Sequence, residues 1–174
     1  MFRHLTIAAF GVGLAVASGV EAATLAQDGK ATAAVVLSAK ATLPEQTAAR
    51  ELADYLSKVT GGQFAIQDES SATRADFTLY IGPTQFAQAQ GLDAAKLGPE
   101  EWLMRTVGKD LILIGGRPRG TLYAVYRFLE DVVGVHWWSP WEESVPRKPT
   151  LAVDGLDRRG KPVLAYRDIY MLYG

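Results

Sequence analysis

The chain contains 174 residues, with 18 lysines and arginines, 19 aspartates and glutamates, and a formal net charge of −1. This near-neutral mixture of charges argues against nucleic acid or an anionic membrane surface as a partner. The absence of cysteine excludes a disulfide framework and a thiolate metal site. We therefore expect no metal or other cofactor, and a stability that comes from packing alone.

The N-terminal segment has the layout of a secretory signal peptide. Arg3 and His4 precede an apolar run from Leu5 to Val20, and small residues flank Glu21 at the usual cleavage positions. The alternative is a membrane anchor, but the run is shorter than the roughly 20 apolar residues that a spanning helix needs. The sequence predicts that residues 1–22 are removed and that the mature chain is exported, to the periplasm or the cell exterior, without a membrane anchor.

The mature chain opens with strands and a long helix. Residues 24–38 carry an Asp28-Gly29 turn signal, which indicates a hairpin or edge strand followed by a core strand. Thr42 and Glu45 form a capping-box pattern, and the helix that it opens ends at Gly61. The residues of its predicted buried face recur at helical spacing: Ala48, Ala49, Leu52, Tyr55, Leu56 and Val59.

Short strands and turns connect this helix to a second one. Strands are predicted at 64–66, 77–82, 102–107 and 111–114, with a helical turn at 83–91. Gly108-Lys109-Asp110 joins the last two strands, which indicates a hairpin. The run from Leu111 to Ile114 does not alternate, so this strand is predicted to be covered on both faces.

The second helix follows a glycine-rich segment and ends at a glycine. Its apolar positions are Leu122, Val125, Tyr126, Leu129, Val132 and Val133. Gly134 is placed as a left-handed C-cap, and strands are predicted at 135–138 and 151–153. The pattern predicts one α/β domain, of the α+β type, over residues 23–154.

The last residues predict the start of a further domain. Residues 155–162 are polar and charged, which indicates a linker, and Val163–Tyr173 is strongly strand-like. Because a long apolar strand at a terminus needs a partner surface, we expect it to belong to a following domain, and the chain to be a fragment or a truncation. Arg167 and Asp168 lie inside this strand, where charges either pair or face a site. Both interpretations stay open.

Two segments are candidates for ligand binding. The amides of Gly115–Gly120 precede a helix and could hold an anion, but the spacing fits neither a dinucleotide fingerprint nor a P-loop. A tight turn with solvated arginines is favoured. Trp137, Trp138 and Trp141 could form a sugar-stacking platform. Neighbours on a strand alternate sides, so Trp137 and Trp138 cannot both line one face, and a core or interface position is favoured.

Acidic pairs and histidines give no catalytic site. Glu100-Glu101 and Glu142-Glu143 lie in polar loop contexts that predict solvated carboxylates, whereas a glycosidase needs one acid held protonated. His136 has no second histidine near it, so a histidine metal site is not expected. We predict no catalytic residue, no cofactor-binding residue and no metal ligand.

Three segments together carry a resemblance to a known family. They are Arg119–Pro140, Ala49–Gly61 and Leu79–Thr84. These segments resemble the N-terminal α/β domain that precedes the barrel in certain glycoside hydrolases. The group includes family 67 α-glucuronidases, family 20 β-hexosaminidases and a related bacterial set of the DUF4838 type, to which the longest segment is most similar. The resemblance covers about residues 30–170.

This resemblance implies a sheet covered by two main helices, packed beside a (β/α)8 barrel that carries the catalytic acids. Val163–Tyr173 would be the first barrel strand, and the rest of the barrel would be absent. In family 20 an arginine on that strand holds the terminal sugar, and Arg167 is at the matching position. Asp168 stands where that family has glycine. Arg167 and Asp168 are therefore the candidate substrate-binding residues.

Three functions follow as expectations. The first is the non-catalytic N-terminal domain of an exported, polysaccharide-degrading glycoside hydrolase, α-glucuronidase-like or hexosaminidase-like, whose partners are its barrel and a glycan. The second is a standalone carbohydrate-binding module that uses Trp137, Trp141 and nearby tyrosines. The third is a small anion- or nucleotide-binding domain that uses the Gly115–Gly120 segment.

Overall fold

A computed structural model of the chain describes residues 23–73, 75–164, 166 and 167. The predicted signal peptide and Asp168 lie outside the described residues. The helices are α1 (Leu43–Thr60), α2 (Gln85–Ala89) and α3 (Gly120–Phe128). The strands are β1 (Ala23–Gln27), β2 (Lys30–Ala31), β3 (Ala33–Leu37), β4 (Ile66–Asp68), β5 (Phe77–Ile81), β6 (Trp102–Val107), β7 (Asp110–Gly115), β8 (His136–Ser139), β9 (Glu142–Ser144), β10 (Leu151–Val153) and β11 (Asp157–Gly160).

The main sheet has the strand order β11-β6-β7-β5-β3-β4. Strands β7, β5, β3 and β4 are parallel, whereas β6 runs antiparallel to both β7 and β11. The predicted hairpin at Gly108 is therefore confirmed. A smaller sheet has the order β10-β1-β2, and β8 and β9 form a separate two-stranded ribbon, the β8–β9 ribbon.

Both long helices pack on one face of the main sheet. Because side chains alternate along a strand, Val35, Leu79 and Leu113 point to this face. They join one apolar core with Leu52 of α1 and Phe128 of α3. The capping box opens α1 as predicted, since the Thr42 amide donates to Glu45 Oε2 at 2.7 Å. The mixed α/β fold, with a sheet covered by two main helices, is confirmed.

The opposite face of the sheet is covered by shorter segments. Ile112 and Ile114 of β7 pack there with Leu103 of β6, Ala87 of α2 and Ala94 of a 3-10 turn. All of these side chains are buried. The prediction that residues 111–114 form a strand covered on both faces is confirmed.

Helix α3 widens at its C-terminal end. Residues Leu129–Val133 form a π-helical turn, and the amides of Gly134 and Val135 both donate to the Leu129 carbonyl at 2.9 Å. Gly134 has a φ of 93°, in the left-handed region that glycine tolerates best. The predicted C-cap is confirmed, although the last turn of the helix is π rather than α.

The linker predicted at 155–162 is wrong for residues 157–160, which form strand β11 at the edge of the main sheet. Its side chains are mostly exposed and charged, so no apolar alternation marked it as a strand. Two ion pairs fix it to neighbouring segments, Arg105 to Asp157 at 3.1 Å and Arg159 to Glu101 at 2.7 Å. The domain therefore extends to Gly160, and its edge is protected by charge.

The predicted barrel strand lies mostly outside the described residues. Those that are described, Val163, Leu164, Tyr166 and Arg167, belong to no strand of this domain. The assignment of Val163–Tyr173 to a following barrel stays a prediction.

Candidate functional site

Arg167 is held against the domain by Glu100. Its Nη2 donates to Glu100 Oε2 at 2.6 Å, and its guanidinium carbon lies 5.9 Å from the centroid of the Tyr123 ring. The Tyr123 hydroxyl donates to the other Glu100 oxygen at 3.2 Å. The structure thus gives Arg167 a carboxylate partner within the domain, and Asp168 lies outside the described residues. Sugar binding by Arg167 and Asp168 stays a prediction.

The prediction that both acidic pairs are solvated is wrong for Glu100 and Glu101, whereas Glu143 is exposed but paired. Glu101 accepts hydrogen bonds from the Gly98 amide and from Arg159, and the Arg159 bond is the main reason why the pKa of Glu101 is lowered. Hydrogen bonding by the Tyr55 hydroxyl, and then by Lys58, lowers the pKa of Glu143. Glu100 is paired with Arg167, and Glu142 is exposed. Glu101 and Glu143 are held ionised, whereas a general acid must carry a proton.

The Gly115–Gly120 segment is a tight turn built by close backbone contacts. A Cβ added at Gly116 would lie 1.9 Å from the Gly98 carbonyl oxygen, and one at Gly120 would lie 2.2 Å from the Glu101 carbonyl oxygen. The favoured interpretation of a tight turn with exposed arginines holds, but Arg117 also has an ion-pair partner that was not predicted. Its Nε and Nη2 donate to the two oxygens of the buried Glu45, at 3.0 and 3.2 Å. Sequence reasoning missed this pair because 72 residues separate its members.

A cleft of about 490 Å³ opens beside this turn. It lies where the parallel strands β3, β5 and β7 end, and Ser38, Lys40, Pro83, Asp93 and Arg117 are among the residues that line it. Because Arg117 is already committed to Glu45, the cleft offers one lysine and one aspartate of opposite charge. This balance gives little support to the anion-binding function.

The tryptophans of the β8–β9 ribbon lie on its two sides, as the alternation predicts. Trp137 packs edge-on against Tyr55 and Tyr126, with ring centroids 5.2 and 5.1 Å away, and its Nε1 donates to the Tyr55 hydroxyl at 2.7 Å. Trp138 and Trp141 are instead 66% and 92% exposed. A core position is therefore wrong for these two, and Trp137 is not available to stack on a sugar.

Tyr55, Lys58 and Glu143 complete the attachment of the ribbon to α1. The Tyr55 hydroxyl donates to Glu143 Oε2, and Lys58 Nζ lies 3.0 Å from Glu143 Oε1. Burial, more than any other cause, raises the pKa of Tyr55. This polar network was not predicted, because Glu143 lies 88 residues from Tyr55 and 85 residues from Lys58 in the sequence.

Within the described part of the chain, no group of three or more histidine, aspartate or glutamate side chains is arranged to hold a metal ion. Across the same residues, no helix is both long and apolar enough to cross a membrane.

The described fold is a mixed sheet with two main helices on one face. The chain belongs to the family described as glycosyl hydrolase family 67 N-terminus, which matches residues 18–128, more than half of its length. It is an N-terminal accessory domain of the glycoside hydrolase type. No curated protein sequence matches the chain.

Several solved structures with a similar fold are glycoside hydrolases. The GH20 β-N-acetylhexosaminidase from Streptomyces coelicolor A3(2) superposes with a TM-score of 0.52 and 14% identity, over 86% of this chain and 26% of that enzyme. The GH115 4-O-methyl-α-glucuronidase BtGH115A superposes with a TM-score of 0.51 and 14% identity, over 79% of this chain and 18% of that enzyme. The Streptomyces plicatus N-acetyl-β-hexosaminidase superposes with a TM-score of 0.50 and 14% identity, over 86% of this chain and 26% of that enzyme. This chain spans about a quarter of these enzymes or less, and at such identity the likeness is one of fold.

Proposed function

We propose that this chain is the non-catalytic N-terminal domain of an exported glycoside hydrolase that degrades polysaccharide. A (β/α)8 catalytic barrel follows it and begins with the strand Val163–Tyr173. Residues 1–22 direct export and are then removed. Family membership supports the accessory role, and one observation at the end of the described chain supports the barrel.

That observation is the exposure of apolar side chains where the chain leaves β11. Val163, Leu164 and Tyr166 are 98%, 65% and 80% exposed. Burying one such side chain is worth about 1.5–3 kcal/mol, so three together favour a covering surface. They follow directly after the last strand of the domain, at the position where a downstream domain would start.

The segment that carries these side chains is held against the domain by an ion pair. Arg167 pairs with Glu100, and Leu164 and Arg167 line a cleft of about 500 Å³ with Tyr123 and Tyr126 of α3. An anchored exit fixes the direction in which a following strand leaves the domain. We therefore propose that the barrel lies beside α3 and that Arg167 and Asp168 belong to its first strand.

The reaction of the whole protein would be hydrolysis of a glycosidic bond by two carboxyl groups. We propose that both belong to the barrel. In the described residues, Glu100, Glu101 and Glu143 are each paired with a cation, which gives none of them the protonated state of a general acid. In this arrangement Arg167 binds the terminal sugar only if Glu100 shares its guanidinium with the substrate. A glucuronide and an N-acetylhexosaminide are the two sugars to test.

The test uses the native protein, isolated from its source cells with an antibody raised against residues 23–160. Intact-mass measurement and N-terminal sequencing should find a polypeptide much longer than this chain that starts near Ala23 and lies outside the cytoplasm. It should release sugar from aryl glycosides or from glucuronic acid-decorated xylan. A native protein that ends at Gly174 and hydrolyses no glycoside would overturn the proposal.

A further inference from the structure

The β8–β9 ribbon presents aromatic rings to solvent on a rigid base. On the side facing the helices, Trp137 and Glu143 are paired in register across the two strands. Trp137 is fixed between Tyr55 and Tyr126, and Glu143 is fixed by Tyr55 and Lys58. The ribbon is therefore held in place by its inner side chains, which leaves its outer side chains in defined positions.

The outer side of the ribbon carries His136 and Trp138. Their rings are nearly parallel, with centroids 5.4 Å apart and planes inclined by 27°. Trp141 lies in the connecting turn, where its amide donates to the Ser139 hydroxyl at 3.3 Å. The contact with His136 restricts the Trp138 side chain, which reduces the conformational entropy that it loses on binding a ligand. The exposed apolar faces of Trp138 and Trp141 both favour contact with a ligand.

The composition of the ribbon selects the class of ligand. Residues 136–144 contain aromatic, acidic and hydroxyl side chains and proline, and no aliphatic side chain. Protein interfaces are also enriched in tryptophan, but their centres are depleted of charge, whereas Glu142, which follows Trp141 in the sequence, is exposed. Flat rings pack on the C–H faces of pyranoses, and carboxylate, imidazole and hydroxyl groups hydrogen-bond to sugar hydroxyls.

The charge of the ribbon indicates whether a neutral or an acidic polysaccharide would bind. It contains two glutamates and no lysine or arginine, and Glu143 alone is neutralised by Lys58. An acidic polymer would meet an uncompensated carboxylate at Glu142. We propose that the β8–β9 ribbon binds a neutral segment of a polysaccharide chain, which stacks on Trp138 and Trp141. This proposal does not depend on which sugar the barrel hydrolyses.

The test is affinity electrophoresis of the intact native protein and its variants. The gels contain a neutral polymer (mixed-linkage β-glucan or galactomannan) or acidic polygalacturonate. The neutral polymers should retard the wild-type protein more strongly than the acidic one. Trp138→Ala and Trp141→Ala should each weaken neutral-polymer binding about tenfold. Leu43→Ala is the matched control, since Leu43 is 69% exposed and distant in sequence from the ribbon.

Melting temperatures separate this role from a structural one. Because both rings are exposed, the two tryptophan variants should have the same melting temperature as the wild type. A large fall in melting temperature with unchanged retardation would show that the ribbon contacts another domain, and would overturn the proposal. So would absence of retardation by any neutral polymer, or stronger retardation by polygalacturonate. Loss of hydrolysis in a protein that still binds β-glucan would refute only the proposed enzymatic function.

Discussion

The guanidinium of Arg117 lies against the carboxylate of Glu45 in a two-point contact, with Nε 3.0 Å from Oε1 and Nη2 3.2 Å from Oε2. Glu45 is 1% exposed, and its Oε2 also accepts the Thr42 amide that opens α1. One carboxylate thus joins the start of the first long helix to the turn before the second. A buried carboxylate keeps its charge only with such partners.

Replacing Arg117 by alanine should therefore destabilise the domain. Glu45 would remain buried with one amide partner, at a cost of about 2–3 kcal/mol. Arg119→Ala is the control, because Arg119 lies two residues away and is exposed. Urea unfolding of the two variants measures the difference, and equal free energies of unfolding would show that the Glu45 contact contributes nothing.

The turn at Gly116 should not tolerate a methyl group. A Cβ at Gly116 would lie 1.9 Å from the Gly98 carbonyl oxygen, so the two backbone segments would have to separate. We expect Gly116→Ala to cost about 3 kcal/mol or to prevent folding. Gly98→Ala tests the opposite side of the same contact, where the new Cβ would meet Glu101 Cβ at an ordinary 3.7 Å. A thermal melt of Gly116→Ala equal to that of Gly98→Ala would contradict the geometry.

The attachment of the ribbon should weaken in acid. The Tyr55 hydrogen bond, followed by Lys58, lowers the pKa of Glu143 below its ordinary value of 4.5. A group with a lowered pKa stabilises the fold above its unfolded value, and this contribution is lost as pH falls through the folded value. The unfolding free energy of wild type should therefore fall below pH 4.5 more steeply than that of Glu143→Gln. Glu142→Gln should follow wild type, and matching slopes in all three proteins would rule out the effect.

The Tyr126 hydroxyl should lose its proton at a higher pH than an ordinary tyrosine. Its burial, followed by the nearby Glu51 carboxylate, raises its pKa from 10.0 to about 12. Its contribution to stability is complete below pH 10 and is lost as pH rises towards and beyond 12, because the unfolded chain ionises first. Absorbance at the tyrosinate band should show a late step that shrinks in Tyr126→Phe. Tyr166→Phe removes a tyrosine that is 80% exposed, and it should leave that step intact.

The predictions that succeeded depend on residues close together in the sequence. The capping box at Thr42, the turn at Gly108 and the C-cap at Gly134 each follow from a few neighbouring residues. The two helices were predicted because apolar side chains recur along one face of each. The fold class followed from these elements and from the resemblance of three segments to a known family.

The predictions that failed concern contacts between distant segments. Strand β11 has no apolar pattern, and it forms because its backbone pairs with β6 and its charges meet Arg105 and Glu101. Gly160 allows this pairing, since a Cβ there would lie 2.5 Å from the Trp102 ring. The acidic residues were predicted to be solvated because the arginines and the lysine that bind them are remote in the chain.

The sequence by itself determined the helices, the turns, the caps and the family, because local periodicity and backbone preferences depend only on residues that are close together in the chain. Only the tertiary structure decided which charged and aromatic groups have partners. It buried Glu45 beneath Arg117, fixed Trp137 between two tyrosines and left Trp138 and Trp141 in solvent. The physical reason is that alternation places neighbouring tryptophans on opposite sides, but packing of the helices determines which side is covered.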